Sequence, residues 1–192
     1  MNPDAGTAFG TWQDRTSRLL YADAMPALLS GVPRDGLTLD LGGANGLSRQ
    51  WFNNVLTVDV DASKQPDVVA DALTYTPDPP VDRVLLRYVL HYLSDAKVRQ
   101  LARHVATYAD ELVVVQFVND DLRAKRANSV NETKHFRSEV MLLGLLRPWR
   151  VHQRIALAYD VDPQFYANRL GHPSPSGHPE TVVGYLCRRT AP

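Results

Sequence analysis

The residues best suited to chemistry form a glycine-rich turn behind a short apolar run. Residues 39–46 read LDLGGANG and lead into a short stretch of helical period. Glycines at such a junction let the backbone turn sharply and let a ligand approach the main chain, while the start of a helix offers unpaired N–H groups. Because ligands bind at the carboxyl ends of strands in a parallel sheet, the segment predicts a ligand-binding turn at Gly42, Gly43, Ala44 and Gly46.

Acidic residues accompany this turn. Asp40 lies at its start, where a carboxylate can hold loop amides or meet a cationic group of a ligand, and both interpretations stay open. Asp59 and Asp61 come at the end of a second apolar run, where an acid can accept both hydroxyls of a ribose. Asp59 is favoured because it is nearer the strand end. The repeat VDVD leaves the register open, and the unused acid would be a solvated turn residue.

A third acid, Asp71, stands with Ala72 after the apolar run 68–70, where it can accept from an adenine amino group. A dinucleotide would need the phosphate-binding spacing G-x-G-x-x-G, which residues 42–46 lack. A nucleoside that has no phosphate groups but carries a positively charged sulfonium needs acidic side chains more than it needs phosphate-binding amides. The turn and its acids therefore favour an adenosyl ligand with an amino-acid tail over NAD.

The elements that position these residues follow from an alternation of short β-branched runs with segments of helical period, which is typical of an α/β fold. The predicted strands show little polar alternation, as in a parallel sheet that is buried on both faces. They span 37–41, 55–60, 81–86, 111–118, 151–159 and 181–188. The last two can form a long hairpin that makes the final strand antiparallel to the rest.

Three helices are predicted beside these strands. Ser94 and Asp95 can cap a helix whose apolar positions 98, 101, 102 and 105 pack one face on the sheet. A second helix covers 138–146 and ends before Pro148, because the residue that precedes a proline is disfavoured in a helix. A third, at 13–29, precedes the first strand.

With these motifs in order, the chain resembles the class I S-adenosylmethionine-dependent methyltransferases, most strongly over 37–118. The segment DLGGANG is similar to the family's glycine-rich first motif, with Ala44 in place of the usual middle glycine. The resemblance implies S-adenosylmethionine as cofactor and S-adenosylhomocysteine as product, with Asp59 at the ribose and Asp71 with Ala72 at the adenine. It also implies the fold class, which is α/β: a single-domain, Rossmann-like, doubly wound, mostly parallel seven-stranded sheet with an antiparallel last strand.

Residues 86–95, LRYVLHYLSD, are similar to the segment that carries the catalytic histidine in small-molecule O-methyltransferases. The comparison implies that His91 is a base and that Arg87, followed by Tyr88, contacts the cofactor. An imidazole titrates near neutral pH and can take a hydroxyl proton as the oxygen attacks the methyl group. The alternative is a His91 that only packs, since methyl transfer depends mainly on alignment. No Asn/Asp-Pro-Pro-Tyr/Phe motif stands here, which argues against amino-methylation of nucleic acid.

Candidates for binding the methyl acceptor are spread along the chain. The polar segment 119–137 is interpreted as a lid or acceptor loop, or as a solvated helix. Aromatic and histidine side chains can complete the pocket, although aromatics at helical spacing more often pack than bind. The candidates are Tyr21, Tyr92, His135, Tyr159 and Tyr166. The remaining histidines lack ligand spacing, so no metal site is predicted.

Composition bounds the partners and the organisation. The 192 residues carry 21 basic and 21 acidic side chains, so the zero net charge gives no drive towards nucleic acid or an anionic membrane. A lone cysteine, Cys187, and a polar N-terminus without a signal-peptide core favour the cytoplasm. We expect one methyltransferase domain with a helical cap at 1–36, a cofactor-binding core at 37–118, and an acceptor-side lid with a hairpin at 119–192.

The expected function is methyl transfer to an oxygen or nitrogen of a small metabolite, of the kind found in secondary metabolism, by a monomer or a homodimer. Three alternatives use the same site. They are a cyclisation, a carboxylate methylation, and a non-catalytic subunit that binds the nucleoside.

Overall fold

The carboxyl ends of the parallel strands meet at one edge of a central sheet, and they position the acids and glycines described above. The structure is a computed structural model that describes residues 25–43, 46–118, 135, 137–159 and 180–190. The predicted site residues Tyr21, Ala44 and Tyr166 lie outside the described residues, as do the side chain of Tyr159 and most of the predicted first helix.

Seven strands of the described chain form this sheet, in the order β3-β2-β1-β4-β5-β7-β6. Neighbouring strands are parallel except for β7, which is antiparallel to both β5 and β6. The strands are β1 (Leu37–Leu41), β2 (Asn54–Asp59), β3 (Val68–Val69), β4 (Val81–Arg87), β5 (Ala109–Val118), β6 (Trp149–Tyr159) and β7 (Glu180–Arg189). The predicted α/β class, the mostly parallel sheet and the antiparallel last strand are confirmed.

Both faces of the sheet are buried, as the unbroken apolar runs predict. On one face, Leu39 and Leu41 of β1 pack with Leu112 of β5. On the other, Leu85 of β4 and Val113 of β5 pack against a short helix, α1 (Met25–Leu28). Successive residues of a strand point to opposite faces, so each strand serves both clusters. Each buried aliphatic side chain stabilises the fold by about 1.5–3 kcal/mol.

Two helices cover the first of these faces. Ser94 caps α2 (Asp95–Val105), where its Oγ accepts from the backbone N–H of Lys97 at 3.4 Å. Ser138 caps α3 (Glu139–Leu145) in the same way. The apolar positions predicted for the first helix are all buried, namely Val98, Leu101, Ala102 and Val105. The predictions of these two helices are confirmed. None of the helices in the described residues is long and apolar enough to cross a membrane.

The chain order changes direction between β1 and β4. From β1 the chain continues to β2 and β3 on one side, whereas β4 and β5 lie on the other side. In an open α/β sheet, ligands bind at such a switch point, in the crevice outside the carboxyl ends of the strands. The crevice here lies between the end of β1, which carries Asp40, and the end of β4, which carries Arg87.

Candidate functional site

The turn after β1 favours glycine at three positions, Gly42, Gly43 and Gly46. Gly42 and Gly46 have φ values of 73° and 71°, a region that side chains disfavour. A Cβ on Gly42 would collide with the side chain of Val89, and one on Gly43 would lie 2.8 Å from the carboxylate carbon of Asp40. The N–H of Gly42 donates to the carbonyl of Val58 at 2.7 Å, which ties the turn to the end of β2. The structure thus confirms a tight glycine turn at the predicted place.

Asp40 lies beneath this turn and is fully buried. Its Oδ2 accepts from the hydroxyl of Ser48 at 2.5 Å, and its Oδ1 has no hydrogen-bond donor among the described residues. Burial raises the pKa of Asp40, while the charge of Arg87 and the Ser48 hydrogen bond oppose that rise. The nearby charge of Asp59 raises the pKa further, which places the two carboxylates within electrostatic reach of each other. Asp40 therefore supports the turn and keeps one buried oxygen unsatisfied.

Asp59 and Asp61 differ in their local roles. Asp59 is the last residue of β2 and its Oδ1 accepts from the N–H of Asp61 at 2.9 Å. Asp61 is exposed and caps a single 3-10 turn (Ala62–Lys64), where it accepts from the N–H of Ser63 at 2.9 Å. Hydrogen bonds from the hydroxyl and the N–H of Ser63 lower the pKa of Asp61. Both carboxylates accept a backbone N–H, but Asp59 is the one that ends β2 and whose charge acts on the buried Asp40, so Asp59 stays the predicted ligand-facing acid.

Apolar side chains and a third acid surround the end of β2. Val60 is 76% exposed, and Val69, which pairs with Asp59 across β2 and β3, is 57% exposed. Asp71 follows β3, and its Oδ1 accepts from the N–H of Leu73 at 2.9 Å. Ala72 packs against the core. The exposed side chains of Val60 and Val69 form an apolar surface at the ends of β2 and β3, and Asp71 follows β3 by two residues.

Arg87 ends β4 on the other side of the crevice. Its side chain is buried, its guanidinium carbon lies 5.7 Å from the ring centre of Trp51, and its Nε has no acceptor among the described residues. The next residue, Tyr88, has a φ of 54°, and its N–H donates to the carbonyl of Val115 at 2.8 Å. Tyr88 is buried in the apolar cluster on that face. Its side chain therefore packs, and a contact with cofactor stays a prediction.

His91 lies in a single 3-10 turn (Leu90–Tyr92) directly after β4 and is 7% exposed. Its Nδ1 is 3.2 Å from the side-chain nitrogen of Gln116 on β5. The ring of Tyr92, half exposed, lies against it with centroids 4.0 Å apart. The carbonyl of His91 accepts from the N–H of His135 at 2.7 Å. The structure thus brings together three of the predicted residues, His91, Tyr92 and His135.

A buried arginine holds the same turn from outside. The guanidinium of Arg137, which is 4% exposed, donates to the carbonyls of Leu90 at 2.8 Å and Leu93 at 2.5 Å. It also donates to the carbonyl of His135 at 3.2 Å and to Asp95 at 2.8 Å. These bonds connect the start of α2 to the chain that leads into α3. Residues 119–134 and 136 of the predicted acceptor loop or solvated helix lie outside the described residues, and at Arg137 the solvated interpretation is wrong because the side chain is buried and hydrogen-bonded.

Two of these polar residues, Ser48 and Gln116, do not emerge from the sequence as part of the site, and Arg137 emerges only as the last residue of the predicted acceptor loop. Gln116 had a visible signal, since a lone amide within the apolar run LVVVQFV needs a buried partner. Ser48 and Arg137 had none, because serine and arginine are ordinary in polar segments. Their partners become visible only in the folded chain.

Nucleophilic and metal chemistry have little support in the described part of the chain. Burial raises the pKa of the Cys187 thiol to about 12, so this cysteine is a packing residue and not a nucleophile. Among the described residues, no group of three or more histidine, cysteine, aspartate or glutamate side chains could hold a metal ion.

The fold matches solved methyltransferases over nearly its whole length. The 1,6-didemethyltoxoflavin-N1-methyltransferase of Burkholderia thailandensis, with bound 1,6-didemethyltoxoflavin and S-adenosylhomocysteine, aligns at a TM-score of 0.66 and 16% identity, covering 98% of this chain and 84% of that one. The N-methyltransferase NodS of Bradyrhizobium japonicum WM9, in complex with S-adenosylhomocysteine, aligns at 0.65 and 12%, covering 93% and 90%. Coclaurine N-methyltransferase, bound to N-methylheliamine and S-adenosylhomocysteine, aligns at 0.60 and 12%, covering 90% and 72%. A scan against protein-family models and a search of the curated proteins find no match.

At these identities the similarity concerns the fold, and the topology agrees with it in detail. The strands follow the order β3-β2-β1-β4-β5-β7-β6, and β7 lies antiparallel between β5 and β6. The glycine turn and its acids lie at the switch point between β1 and β4. The chain therefore has the fold of the class I S-adenosylmethionine-dependent methyltransferases.

Proposed function

We propose that this chain transfers a methyl group from S-adenosylmethionine to an oxygen or nitrogen of a small-molecule acceptor. The observation that carries the proposal is a glycine-rich turn beside two acids, Asp40 and Asp59, near the carboxyl ends of the adjacent strands β1 and β2, at the switch point of the sheet. Carboxylates attract a sulfonium, whereas they would repel the pyrophosphate of a dinucleotide. The charges at the site therefore favour S-adenosylmethionine over NAD.

The described residues fit the parts of this cofactor. Asp59 would accept the ribose hydroxyls, and the exposed side chain of Val60 beside it would lie against the adenine ring. Asp71, with Ala72, would accept from the adenine amino group. The glycine turn would let the main chain approach the amino-acid tail, since no Cβ fits there.

Two buried charges would meet the tail of the cofactor. The Oδ1 of Asp40, which lacks a donor among the described residues, would be satisfied by a cationic group. Arg87, whose Nε also lacks a partner among the described residues, would face the carboxylate of the tail. The site thus carries one negative and one positive side chain for a zwitterionic ligand.

Methyl transfer depends mainly on the alignment of the cofactor with the acceptor. When bound, the cofactor supplies a methyl group on a positively charged sulfur, which keeps the bonding electrons when the acceptor's lone pair forms the new bond to carbon. The chain's part is to hold the two reactants in line, to exclude water and to orient the acceptor. We propose that His91 and its neighbours Tyr92 and His135 lie on the acceptor side, together with Tyr21, Tyr159 and Tyr166.

Two observations support a small acceptor. By their names, the matched proteins include N-methyltransferases that were solved with small molecules bound, namely 1,6-didemethyltoxoflavin and N-methylheliamine. The zero net charge of the chain offers no general attraction for a nucleic acid. We further propose that the chain is a single domain with a helical cap at 1–36, a cofactor-binding core at 37–118 and an acceptor-side part at 119–192. We also propose that it works in the cytoplasm.

The test is transfer of a labelled methyl group. The purified protein is incubated with methyl-labelled S-adenosylmethionine and with panels of amines, phenols, carboxylic acids and aliphatic alcohols, and the products are separated by mass. Label in a small-molecule product supports the proposal. Tight cofactor binding without transfer to any panel would favour a non-catalytic subunit, and a product that is cyclised or esterified would favour the corresponding alternative.

A further inference from the structure

The contact between His91 and Gln116 determines which form of the imidazole the site contains. Both residues are buried, at 7% and 3% exposure, and the side-chain nitrogen of Gln116 lies 3.2 Å from Nδ1 of His91. An amide nitrogen is only a donor. In this arrangement Nδ1 must accept, so a neutral His91 carries its single proton on Nε2.

The opposite arrangement would turn the amide of Gln116 around. Its oxygen would then accept from an Nδ1–H, and its nitrogen would take the place now held by Oε1, which has no hydrogen-bond partner among the described residues. The present orientation leaves the carbonyl oxygen and one N–H of Gln116 without a partner among the described residues, whereas the turned amide would leave two N–H groups without an acceptor. Orphaned buried N–H groups are rarer in proteins than under-satisfied carbonyl oxygens. The amide orientation in the structure is therefore the better satisfied one.

The doubly protonated imidazole fits this contact no better. It donates from both ring nitrogens, so its Nδ1–H would point at the N–H of Gln116. The guanidinium of Arg137, bound to the carbonyl of Leu90, adds a positive charge beside the same turn, although Asp95 pairs with it. The ring of Tyr92 and the main chain of His135 also contact His91. The group that faces Nδ1 is the amide nitrogen of Gln116, which offers no acceptor for an Nδ1–H.

We propose that Gln116 is a positioning residue that holds His91 as the Nε2-protonated neutral imidazole. In this form His91 donates a hydrogen bond and has no lone pair with which to take the acceptor's proton. The consequence for the acceptor rests on the proposed function: it must be nucleophilic without help from a base. That class comprises amines, which attack with a free lone pair and then release a proton to water, and acidic oxygens that are ionised before they bind.

The first test is NMR of the histidine ring nitrogens at about pH 8, well above the ordinary histidine pKa. A protonated and a bare ring nitrogen differ widely in chemical shift, and the variant His91→Gln identifies the signals of this ring. His104 is an internal reference, because its Nε2 lies 2.9 Å from the carbonyl of Tyr75 and can only donate to it. We expect His91 and His104 to show the same Nε2-protonated pattern. An Nδ1-protonated His91 would overturn the proposal.

Gln116→Glu provides the matched change. The carboxylate has the same length but accepts only, so the proton of His91 should move to Nδ1 while His104 keeps its pattern. A His91 pattern that does not respond to Gln116→Glu in the folded variant would also overturn the proposal. If this variant does not fold, the wild-type spectrum decides alone.

Methyl transfer provides a second readout. The wild-type chain should methylate amines and phenols, whereas aliphatic alcohols, which need a general base that contributes about 10²-fold or more, should not react. An aliphatic alcohol that is methylated in a manner dependent on His91 would contradict the proposal. If no acceptor is methylated at all, the proposed function fails, and the NMR pattern still decides the role of Gln116.

Discussion

Replacing Arg137 with methionine should destabilise the chain because it strips donors from several buried carbonyls. The guanidinium donates to Leu90 in a fully buried setting and to Leu93 and His135 in partly buried ones. A hydrogen bond from a charged group contributes about 1.5–3 kcal/mol when buried and less when water can compete. The ion pair with Asp95, whose carboxylate is nearly half exposed, adds at most about 1 kcal/mol. Since the variant also avoids burying a charge, we expect a net loss of about 2–4 kcal/mol.

Urea denaturation followed by circular dichroism measures this loss, with Arg189→Met as the matched control. Arg189 donates to Asp110 at 2.7 Å and to the carbonyl of Ala106 at 2.9 Å, but all of these contacts are exposed. The control should therefore cost less than about 1 kcal/mol. If Arg137→Met costs no more than Arg189→Met, the buried arginine does not hold the turn that carries His91, and this account of the turn is wrong.

Two further predictions concern the glycine turn and the acid beneath it. In Gly43→Ala the new Cβ would lie 2.8 Å from the carboxylate carbon of Asp40, so the variant should lose about 1–3 kcal/mol of folding free energy and bind the cofactor more weakly. In the control Gly144→Ala in α3, the new Cβ meets no atom within 4 Å, so this variant should be more stable than the wild type by about 0.5–1 kcal/mol. Equal effects of the two variants in denaturation would refute the tight turn. Asp40 has a folded-state pKa raised by burial, so its neutral form favours folding at low pH and that contribution is lost as the pH rises through the folded-state pKa. Asp40→Asn should therefore gain stability relative to the wild type as the pH rises above about pH 4, the ordinary aspartate pKa, and thermal unfolding at a series of pH values measures this gain; a difference that does not change with pH would show that Asp40 carries no burial penalty.

Most of the sheet could be predicted because its strands are long, apolar and separated by clear turns. β1 has the predicted bounds, and the ends of the other long strands fall within two residues of the prediction. α2 followed from its serine cap and from apolar positions that all prove to be buried. β3 shows no strand pattern because it has only two residues, and its place depends on pairing with β2.

The site was predictable where a residue acts through its own segment. Gly42 and Gly43 are constrained by the turn itself, and Asp59 follows from the end of a strand. The sequence favoured Asp59 over Asp61 but left the register open, because the register depends on where β2 ends and on the 3-10 turn that Asp61 caps. Gln116 lies 25 positions from His91, and only the pairing of β4 with β5 brings the two together.

Calorimetric titration with S-adenosylhomocysteine tests the central claim most directly. The wild-type chain should bind it, and Asp59→Asn should weaken binding by one to two orders of magnitude, about 1.5–3 kcal/mol for lost charge-assisted hydrogen bonds. Asp61→Asn is the matched control, because asparagine caps a helix as well as aspartate, and its affinity should stay within about 3-fold of the wild type. Failure of the wild type to bind S-adenosylhomocysteine, or an Asp59→Asn variant with unchanged affinity, would contradict the account.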